Sequence, residues 1–496
     1  MQNRFVRNLA LLLFLNLLVK PFWILGVDRA VQNAVGDAMY GFYLSIYSYS
    51  FLFYILLDLG ITNFNNRNIA QNNQLLSKHF AGITSMKLVL GVLYALVAFS
   101  IGFVIGYNAD QMKMLAWVGF NQVLLSFILY LRSNISGLLL FKTDSFLSVL
   151  DRILMILICS VLLWSGFVDK PFQIQWFVYA QTAAYLITFL IAFLFVLRYA
   201  GPIHLTFSLP FSLMIIRKSL PFALLVLLMS FYSRAEPVLL ERLLSDEIGF
   251  RQTGIYGQAF RLLDAGNNIS LLFSVLLLPL FSAQLKRRES VNQLAKLSFS
   301  LIISMAFIIA VSTFFYSTEI MNLLYGLRAG ESAVDFDYRL EHASTVFRVL
   351  MGSFIAVSTT YIFGTLLTAG GKLKMLNITA ASGVVINLLL NFILIPRFEA
   401  IGAAYANLTA QLLTAVVQFF IATHVFKLDF SQNFWIRIIL FFVIASFTAF
   451  GSMYLPLNWI WKMLLALGFN MILVFLTGVI RLRELIKLLV DAREVS

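Results

Sequence analysis

The chain has 496 residues, of which 60% are hydrophobic and only 12% are charged, and 49 of them are phenylalanine. This balance excludes an ordinary soluble globular protein. Apolar runs of about 18 residues or more recur along the whole length, which predicts a polytopic membrane protein. The net charge of +13 lies mainly in short loops and therefore does not indicate nucleic acid as a partner.

Apolar runs bounded by polar turns predict about fourteen membrane-spanning helices. The first run follows a basic start but carries Lys20 and Pro21 and has no small-residue cleavage site, so we expect a retained helix and not a signal peptide. The predicted spans lie near residues 9–27, 41–60, 81–106, 114–131, 153–168, 174–197, 220–239, 257–281, 297–316, 343–369, 375–395, 401–424, 438–454 and 459–480.

The loops between these spans differ in charge. Basic residues collect on one side of the predicted topology, whereas the acidic stretch 331–341 falls on the other side. Because cytoplasmic loops carry the excess of Lys and Arg, this bias predicts that both termini are cytoplasmic.

The organisation follows from the spans. No connection exceeds about thirty residues, so no loop is large enough to bury its own core. We expect an all-α fold of two six-helix lobes in a parallel pseudo-twofold arrangement, with two further helices at the C-terminus. The predicted parts are a first lobe over 1–198, a cytoplasmic linker over 199–219, a second lobe over 220–425, and two helices with a cytoplasmic tail over 426–496.

Charged side chains inside the spans are the main functional signal, because each costs about 2.5–3.5 kcal/mol at the bilayer centre and so faces a partner or a watery cavity. Six of these residues, named at the end of this paragraph, include more cations than anions. This excess suits a diphosphate, since Arg binds phosphate oxygens in bidentate fashion and Lys binds them as a point charge. The alternative is interhelical salt bridges with surplus cations reaching the headgroups. Six residues are predicted to share one level between the midplane and the outer surface: Lys20, Arg234, Glu236, Arg261, Asp264 and Arg348.

Spacing refines the pairings in this set. Arg261 and Asp264 are three residues apart, so they share a helix face and can pair. Arg234 and Glu236 are two apart and cannot pair on a regular helix. Pro237 predicts either a kink that changes this angle or the outer end of the span.

Three further charges lie near predicted span ends. Asp58 precedes Gly60, a helix C-cap position, and needs a compensating donor such as Arg67 or nearby backbone, which favours a structural latch. Lys87 and Lys462 are predicted to be ordinary interfacial anchors.

Ion coupling requires a carboxylate inside the membrane, and the sequence offers Glu236, Asp264 and Asp58 for this role, with Asp264 preferred. The four histidines are too scattered to predict a metal site. The sequence contains no phosphate-binding P-loop, so nothing indicates ATP as a driver, and no cofactor is predicted.

Two segments resemble the oligosaccharide and polysaccharide flippases of bacterial envelopes, whose superfamily also holds multidrug exporters. Residues 35–71 contain Tyr-Gly-Phe, an apolar helix, Asp-Leu-Gly, then an Arg and Ile-Ala. Residues 366–408 contain Gly-Lys, an Asn-rich helix, Ile-Pro and Gly-Ala-Ala, and residues 247–262 resemble the entry to the family's eighth helix.

The resemblance implies a transporter, not an enzyme, that moves a polyprenyl-diphosphate-linked oligosaccharide across the bacterial cytoplasmic membrane by alternating access. Its product would serve surface polysaccharides such as the O-antigen of lipopolysaccharide. Its partners would be membrane lipids and the polysaccharide polymerase and glycosyltransferases. The alternatives are an ion-coupled multidrug exporter of the same superfamily and an O-antigen polymerase-type enzyme. The enzyme would need a positioned acid or base, often on a sizeable external loop.

Overall fold

The computed structural model describes residues 15–16, 18–165, 170–201 and 208–480, and all regular secondary structure within them is helical. The chain divides into two compact units, Met1–Gly254 and Ile255–Ser496. The boundary falls inside the helix Asp246–Lys286. The elements of the first unit are π1 (Trp23–Asp28), α1 (Arg29–Leu52), α2 (Ile55–Asp58), α3 (Ile61–Gln71), α4 (Leu75–Val104), α5 (Ala109–Gly137), α6 (Phe141–Trp164), α7 (Ile174–Ala200), α8 (Leu209–Leu243) and the start of α9 (Asp246–Lys286).

The second unit continues α9 and adds five helices. These are α10 (Asn292–Leu324), α11 (Ala333–Ala369), α12 (Leu373–Phe426), α13 (Gln432–Ser452) and α14 (Trp459–Leu476). Its core joins residues of α9 to α14, among them Phe281, Ile302, Phe363 and Phe441. The two C-terminal helices are thus packed into the core of this unit.

The helices account for the predicted number of spans. Ten of them are long and apolar enough to cross a membrane. α12, with 54 residues, is long enough for two crossings. The bent N-terminal pair Leu18–Leu52 and Ile55–Gln71 counts as an eleventh candidate, and the 35 residues of α8 are long enough for a further crossing. The prediction of an all-α polytopic membrane protein with about fourteen transmembrane helices is confirmed.

Two of the span boundaries are breaks inside continuous helical segments. Gly36 in α1 has φ 79° and ψ 170°, a conformation that glycine adopts without steric cost. Glu399 in α12 has φ 51° and ψ −133° and follows Pro396. A side chain at Gly402 would overlap the Leu394 carbonyl oxygen. The Gly-Ala-Ala sequence therefore lets the chain after the break pack closely on the helix before it.

Some helices extend beyond the predicted spans. α5 runs to Gly137 and α6 begins at Phe141, whereas the predicted spans end at 131 and begin at 153. Several charged residues that the sequence analysis left in a loop are therefore helical. α8 also continues through Pro237 to Leu243, so that proline does not end the helix.

The predicted limits of the lobes and the linker stay a prediction. The first residues of the predicted first span, residues 202–207 of the linker, and the tail from residue 481 lie outside the described residues.

Two glycines allow α1 and α9 to touch through their backbones within the first unit. A methyl group at Gly41 would overlap the Phe250 carbonyl oxygen, and one at Gly254 would overlap the Asp37 carbonyl oxygen. Gly41 belongs to the Tyr-Gly-Phe sequence. This motif therefore has a packing role.

We expect Gly41→Ala to destabilise the protein, because the added methyl group meets backbone atoms and not a flexible side-chain end. Overpacking of this kind costs about 1–3 kcal/mol and should lower the melting temperature of the detergent-purified protein. Gly468→Ala is the matched control, since its methyl group would enter open space with no atom within 4 Å. Equal melting temperatures for the two variants would contradict the packing role.

Candidate functional site

Arg234 of α8 lies against two aromatic side chains of α1. Its guanidinium carbon is 5.4 Å from the Tyr47 ring centroid and 5.3 Å from the Phe51 ring centroid. Its Nε and Nη1 atoms are buried and have no hydrogen-bond partner among the described residues. An arginine normally fills its donors when water is excluded. The cation–π contacts hold the guanidinium in place.

Glu236, two residues further along α8, is fully buried. Pro237 is also buried, and its carbonyl oxygen accepts a hydrogen bond of 3.3 Å from the Thr253 hydroxyl of α9. This bond ties the end of α8 to the following helix inside the first unit. The structure thus surrounds Pro237 with protein, close to the end of α8.

Arg261 and Asp264 of α9 form the predicted pair, with 4.0 Å between Nη1 and Oδ2. Their side chains are 17% and 26% exposed, respectively, so the pair is partly accessible. Asn268, on the same stripe, donates a hydrogen bond of 2.7 Å to the Asp264 carbonyl oxygen. The i,i+3 geometry was readable from the sequence because both residues lie within one regular helix.

Arg348 of α11 contacts neutral groups only within the described part of the chain. Its Nε and Nη2 donate to the Ser317 hydroxyl of α10 at 3.2 and 2.9 Å. Its guanidinium carbon is 5.3 Å from the Phe314 ring centroid. No described carboxylate neutralises this arginine.

Asp58 is the centre of a buried latch at the break between α2 and α3. Leu59 and Gly60 are both left-handed, with φ 44° and 76°, which leaves the Leu57 carbonyl without its helical donor. Lys87 Nζ donates to that carbonyl at 2.9 Å and to the Ser126 hydroxyl at 2.7 Å, and it lies 3.5 Å from Asp58 Oδ1.

Thr62 completes the latch through its backbone N–H and hydroxyl, both of which donate to Asp58. The prediction that Lys87 is an interfacial anchor is wrong, since this residue is only 2% exposed. Among the described residues, Asp58 contacts the donors Lys87 and Thr62 and not Arg67. A latch of this kind was predicted, but its cation comes from α4, a contact that no sequence spacing reveals.

Lys20 lies among charges that the sequence analysis missed. Its ammonium makes no hydrogen bond or ion pair with described residues, and its electrostatic neighbours are Arg132, Arg152 and Asp151. Arg132 and Arg152 fell just outside the predicted spans, so they were not counted as intramembrane charges. The lengths of α5 and α6 are the signal that would have included them.

Asp28 is a second residue that the sequence analysis missed. It ends π1 and is 1% exposed. The Tyr40 hydroxyl donates to both of its carboxylate oxygens, at 3.1 and 3.2 Å, and Gln32 donates to Oδ2 at 3.0 Å. It lies one residue beyond the predicted first span. The first unit therefore contains a buried carboxylate in addition to Glu236 and Asp58.

The predicted set is divided between the units. Lys20, Arg234 and Glu236 belong to the first unit, and Arg261, Asp264 and Arg348 to the second. The level that these residues share stays a prediction.

Comparison with known proteins supplies a family. The family model described as polysaccharide biosynthesis protein matches residues 5–285, more than half of the chain. No curated protein sequence matches the chain.

Solved structures are similar in fold. Lipid II flippase MurJ in an inward closed conformation matches with a TM-score of 0.69 and 15% identity, covering 95% of this chain and 99% of that one. An inward-facing multidrug resistance MATE family transporter of the MOP superfamily matches with a TM-score of 0.60 and 14% identity, covering 83% and 94%. The bent form of the Vibrio cholerae MATE transporter VcmN matches with a TM-score of 0.53 and 14% identity, covering 85% and 97%.

Removal of the buried ammonium should destabilise the latch. We expect Lys87→Met to cost about 3–5 kcal/mol, because Asp58 stays buried without its cation, and the melting temperature in detergent should fall. Lys87→Met combined with Asp58→Asn should recover part of the loss, since no charge is then left unpaired.

Lys462→Met is the matched control for this latch. Lys462 makes one exposed hydrogen bond of 2.8 Å, to the Met453 carbonyl, and its removal should change stability by less than about 1 kcal/mol. A melting temperature for Lys87→Met as high as that of Lys462→Met would show that the latch does not stabilise the fold.

Proposed function

The chain belongs to the polysaccharide biosynthesis protein family, and on this premise we propose that it translocates a polyprenyl-diphosphate-linked oligosaccharide. Transport runs from the inner to the outer leaflet of the bacterial cytoplasmic membrane by alternating access and supplies surface polysaccharide such as O-antigen. Both termini are cytoplasmic in this proposal. Its partners in this proposal are a polysaccharide polymerase and glycosyltransferases.

The observation that supports the proposal most directly is that Arg234 has buried nitrogens without a hydrogen-bond partner. This arginine is held against Tyr47 and Phe51, and two of its buried nitrogens lack a hydrogen-bond partner among the described residues. A phosphate oxygen would fill these donors, and the bond would be strong because one partner is charged and water is scarce. The aromatic rings already fix the guanidinium, so little side-chain freedom is lost on binding.

Arg348 and Arg261 support the same chemistry in the second unit. Arg348 has only neutral neighbours among the described residues, and Arg261 has Asp264 at 4.0 Å. Arg348 sits on a long, apolar helix, where an uncompensated charge is expensive. Anionic oxygens of a diphosphate would compensate it, and Arg261 would add a second cation on α9. Asp264, Glu236 and Asp58 balance charge or carry a coupling ion in this proposal.

The alternative functions demand different groups. An exporter of cationic drugs would favour an excess of carboxylates and open aromatic faces, whereas the faces of Tyr47 and Phe51 are occupied by Arg234. A polymerase would need an acid or base placed at an accessible reaction site. The cationic residues favour a transporter of anionic lipids over both.

Transport in proteoliposomes tests the proposal. The wild-type protein should move a lipid-diphosphate oligosaccharide across the bilayer. Arg234→Ala and Arg348→Ala should each slow the initial rate about tenfold to a hundredfold, because one charged hydrogen-bonding group is worth about 1.5–3 kcal/mol. Runs with an imposed proton or Na⁺ gradient, repeated with Asp264→Asn, test the coupling role of this carboxylate.

Arg287→Ala serves as the control, since this arginine is exposed and pairs weakly with Glu289 at 3.9 Å. Its rate should equal that of the wild type. Export of a cationic dye, with no movement of the lipid-linked oligosaccharide, would instead identify a multidrug exporter.

A further inference from the structure

A cavity of about 510 Å³ lies within the first unit. Its lining residues come from α1, α5, α7 and the start of α9, and they include Phe42, Asn108, Gln175 and Phe250. All of the lining residues lie within or just after connections that the predicted topology places on the outer side of the membrane. The cavity therefore lies at the side to which the proposed function delivers its product.

Aromatic rings form two parts of the cavity wall. The Trp117 and Tyr179 rings meet edge to face, with centroids 4.8 Å apart, and the two residues are 43% and 44% exposed. The Phe42 and Phe250 rings also meet edge to face, with centroids 5.4 Å apart. The close backbone contact at Gly41 fixes the position of Phe250. Two aromatic pairs thus give the cavity flat apolar surfaces in defined orientations.

Amide groups supply the polar part of the lining. Asn108 caps α5, where its Oδ1 accepts hydrogen bonds from the backbone N–H groups of Asp110 and Gln111 at 3.1 and 2.9 Å. This capping fixes the Asn108 amide, and its Nδ2 makes no hydrogen bond with described residues. The side chain of Gln175 is exposed and also makes none with them. The cavity therefore carries amide groups that can exchange bound water for a ligand hydroxyl.

The charges in the lining cancel. Among the described residues that line the cavity, Asp110 and Lys113 carry charge, and they lie 3.5 Å apart with side chains that are 82% and 77% exposed. An exposed ion pair is worth little, so the two groups can separate and bind a ligand at small cost. A lining without net charge favours neither a diphosphate nor a cationic drug. It favours an uncharged molecule with many hydroxyl groups.

A sugar ring matches this combination of groups. One face of a pyranose presents mainly C–H bonds, which pack on aromatic rings, and its edge presents hydroxyl groups, which amides and carboxylates bind. Small-molecule sites in general combine apolar, aromatic walls with a few placed polar groups. Tryptophan and tyrosine also serve as anchors at membrane interfaces, but an anchor needs neither a cavity nor the amides beside it.

We propose that this cavity binds an uncharged sugar unit of the transported oligosaccharide on the outer side of the membrane. The Trp117 and Tyr179 rings pack against the sugar ring. Asn108 and Gln175 bind its hydroxyl groups. The assignment rests on the proposed function, because it takes the ligand from the transported lipid. It differs from the Arg234 site in that it recognises the sugar and not the diphosphate.

Saturation-transfer NMR with the purified full-length protein in lipid nanodiscs tests this site. The probe is the repeat oligosaccharide of the bacterium that carries the gene, released from its lipid-linked precursor by mild acid. Farnesyl diphosphate is the comparison that lacks a sugar. Trp117→Leu keeps an apolar side chain but removes the flat ring, and it should raise the Kd of the oligosaccharide about threefold to tenfold. Trp117→Phe keeps a ring and should bind more tightly than Trp117→Leu.

Two further variants complete the comparison. Gln175→Leu removes an exposed amide and should also weaken oligosaccharide binding while the protein stays folded. Trp461→Ala is the matched control, since Trp461 of α14 belongs to the second unit and is 62% exposed, and it should bind the oligosaccharide as the wild type does. Farnesyl diphosphate should bind equally well to all of these variants.

The outcomes separate the sugar from the lipid. Wild-type oligosaccharide affinity in both Trp117→Leu and Gln175→Leu, or no binding by the wild type, would overturn the assignment. A loss of farnesyl diphosphate affinity in Trp117→Leu would also overturn it, because the cavity would then contact the lipid. If Trp117→Leu does not yield folded protein, Gln175→Leu decides the question by itself.

The binding result stands apart from the transport result. A protein that binds the free oligosaccharide through Trp117 but does not move the lipid-linked form in proteoliposomes contradicts the proposed function and supports the sugar site. A protein that transports the lipid-linked form while its sugar affinity is the same in every variant supports the proposed function and contradicts the sugar site.

Discussion

A hydrocarbon solvent offers no hydrogen bonds, so each interruption of a helix and each charge within the bilayer has to be satisfied by the protein. The latch around Asp58 shows this constraint in its simplest form. The left-handed Leu59 and Gly60 leave the Leu57 carbonyl without a helical partner, and Lys87 and Ser126 donate to it from two other helices. The break in the second span therefore depends on the packing of α4 and α5 around it, because these helices supply the donors for the open carbonyl.

The same constraint sorts the intramembrane charges into two groups. Lys87 and Arg132 have close carboxylate partners, so the positive charge of each is neutralised within the protein. Arg234 and Arg348 have aromatic or hydroxyl neighbours within the described residues. A satisfied charge stabilises one arrangement of helices, whereas an unsatisfied one gains from an incoming anion. The division separates the charges that have a carboxylate partner from those that we propose to bind the ligand.

The sequence predicted the features that depend on local pattern. Apolar run length was enough for the fold class and the number of spans, and residue spacing was enough for Arg261 and Asp264. It failed where a partner comes from a distant helix or where a helix outlasts its apolar run. Lys87 was interpreted as an anchor because its partner Asp58 lies in another helix. Arg132 and Arg152 were left out because α5 continues beyond the end of its apolar run and α6 begins before its own apolar run starts. A helix can extend in this way when its charged residues are paired inside the fold.

The latch also orders the assembly of the protein during synthesis. Leu57 leaves the ribosome 30 residues before Lys87, with Asp58 directly after it, and Ser126 follows 39 residues after Lys87. The broken second helix therefore enters the membrane with an open carbonyl and a carboxylate that still lacks its cation, and the latch becomes complete only when α4 and then α5 arrive. Until then this segment depends on the insertion machinery or on interfacial water for its hydrogen bonds. The N-terminal helices are thus committed to their final packing only after α5 has been inserted.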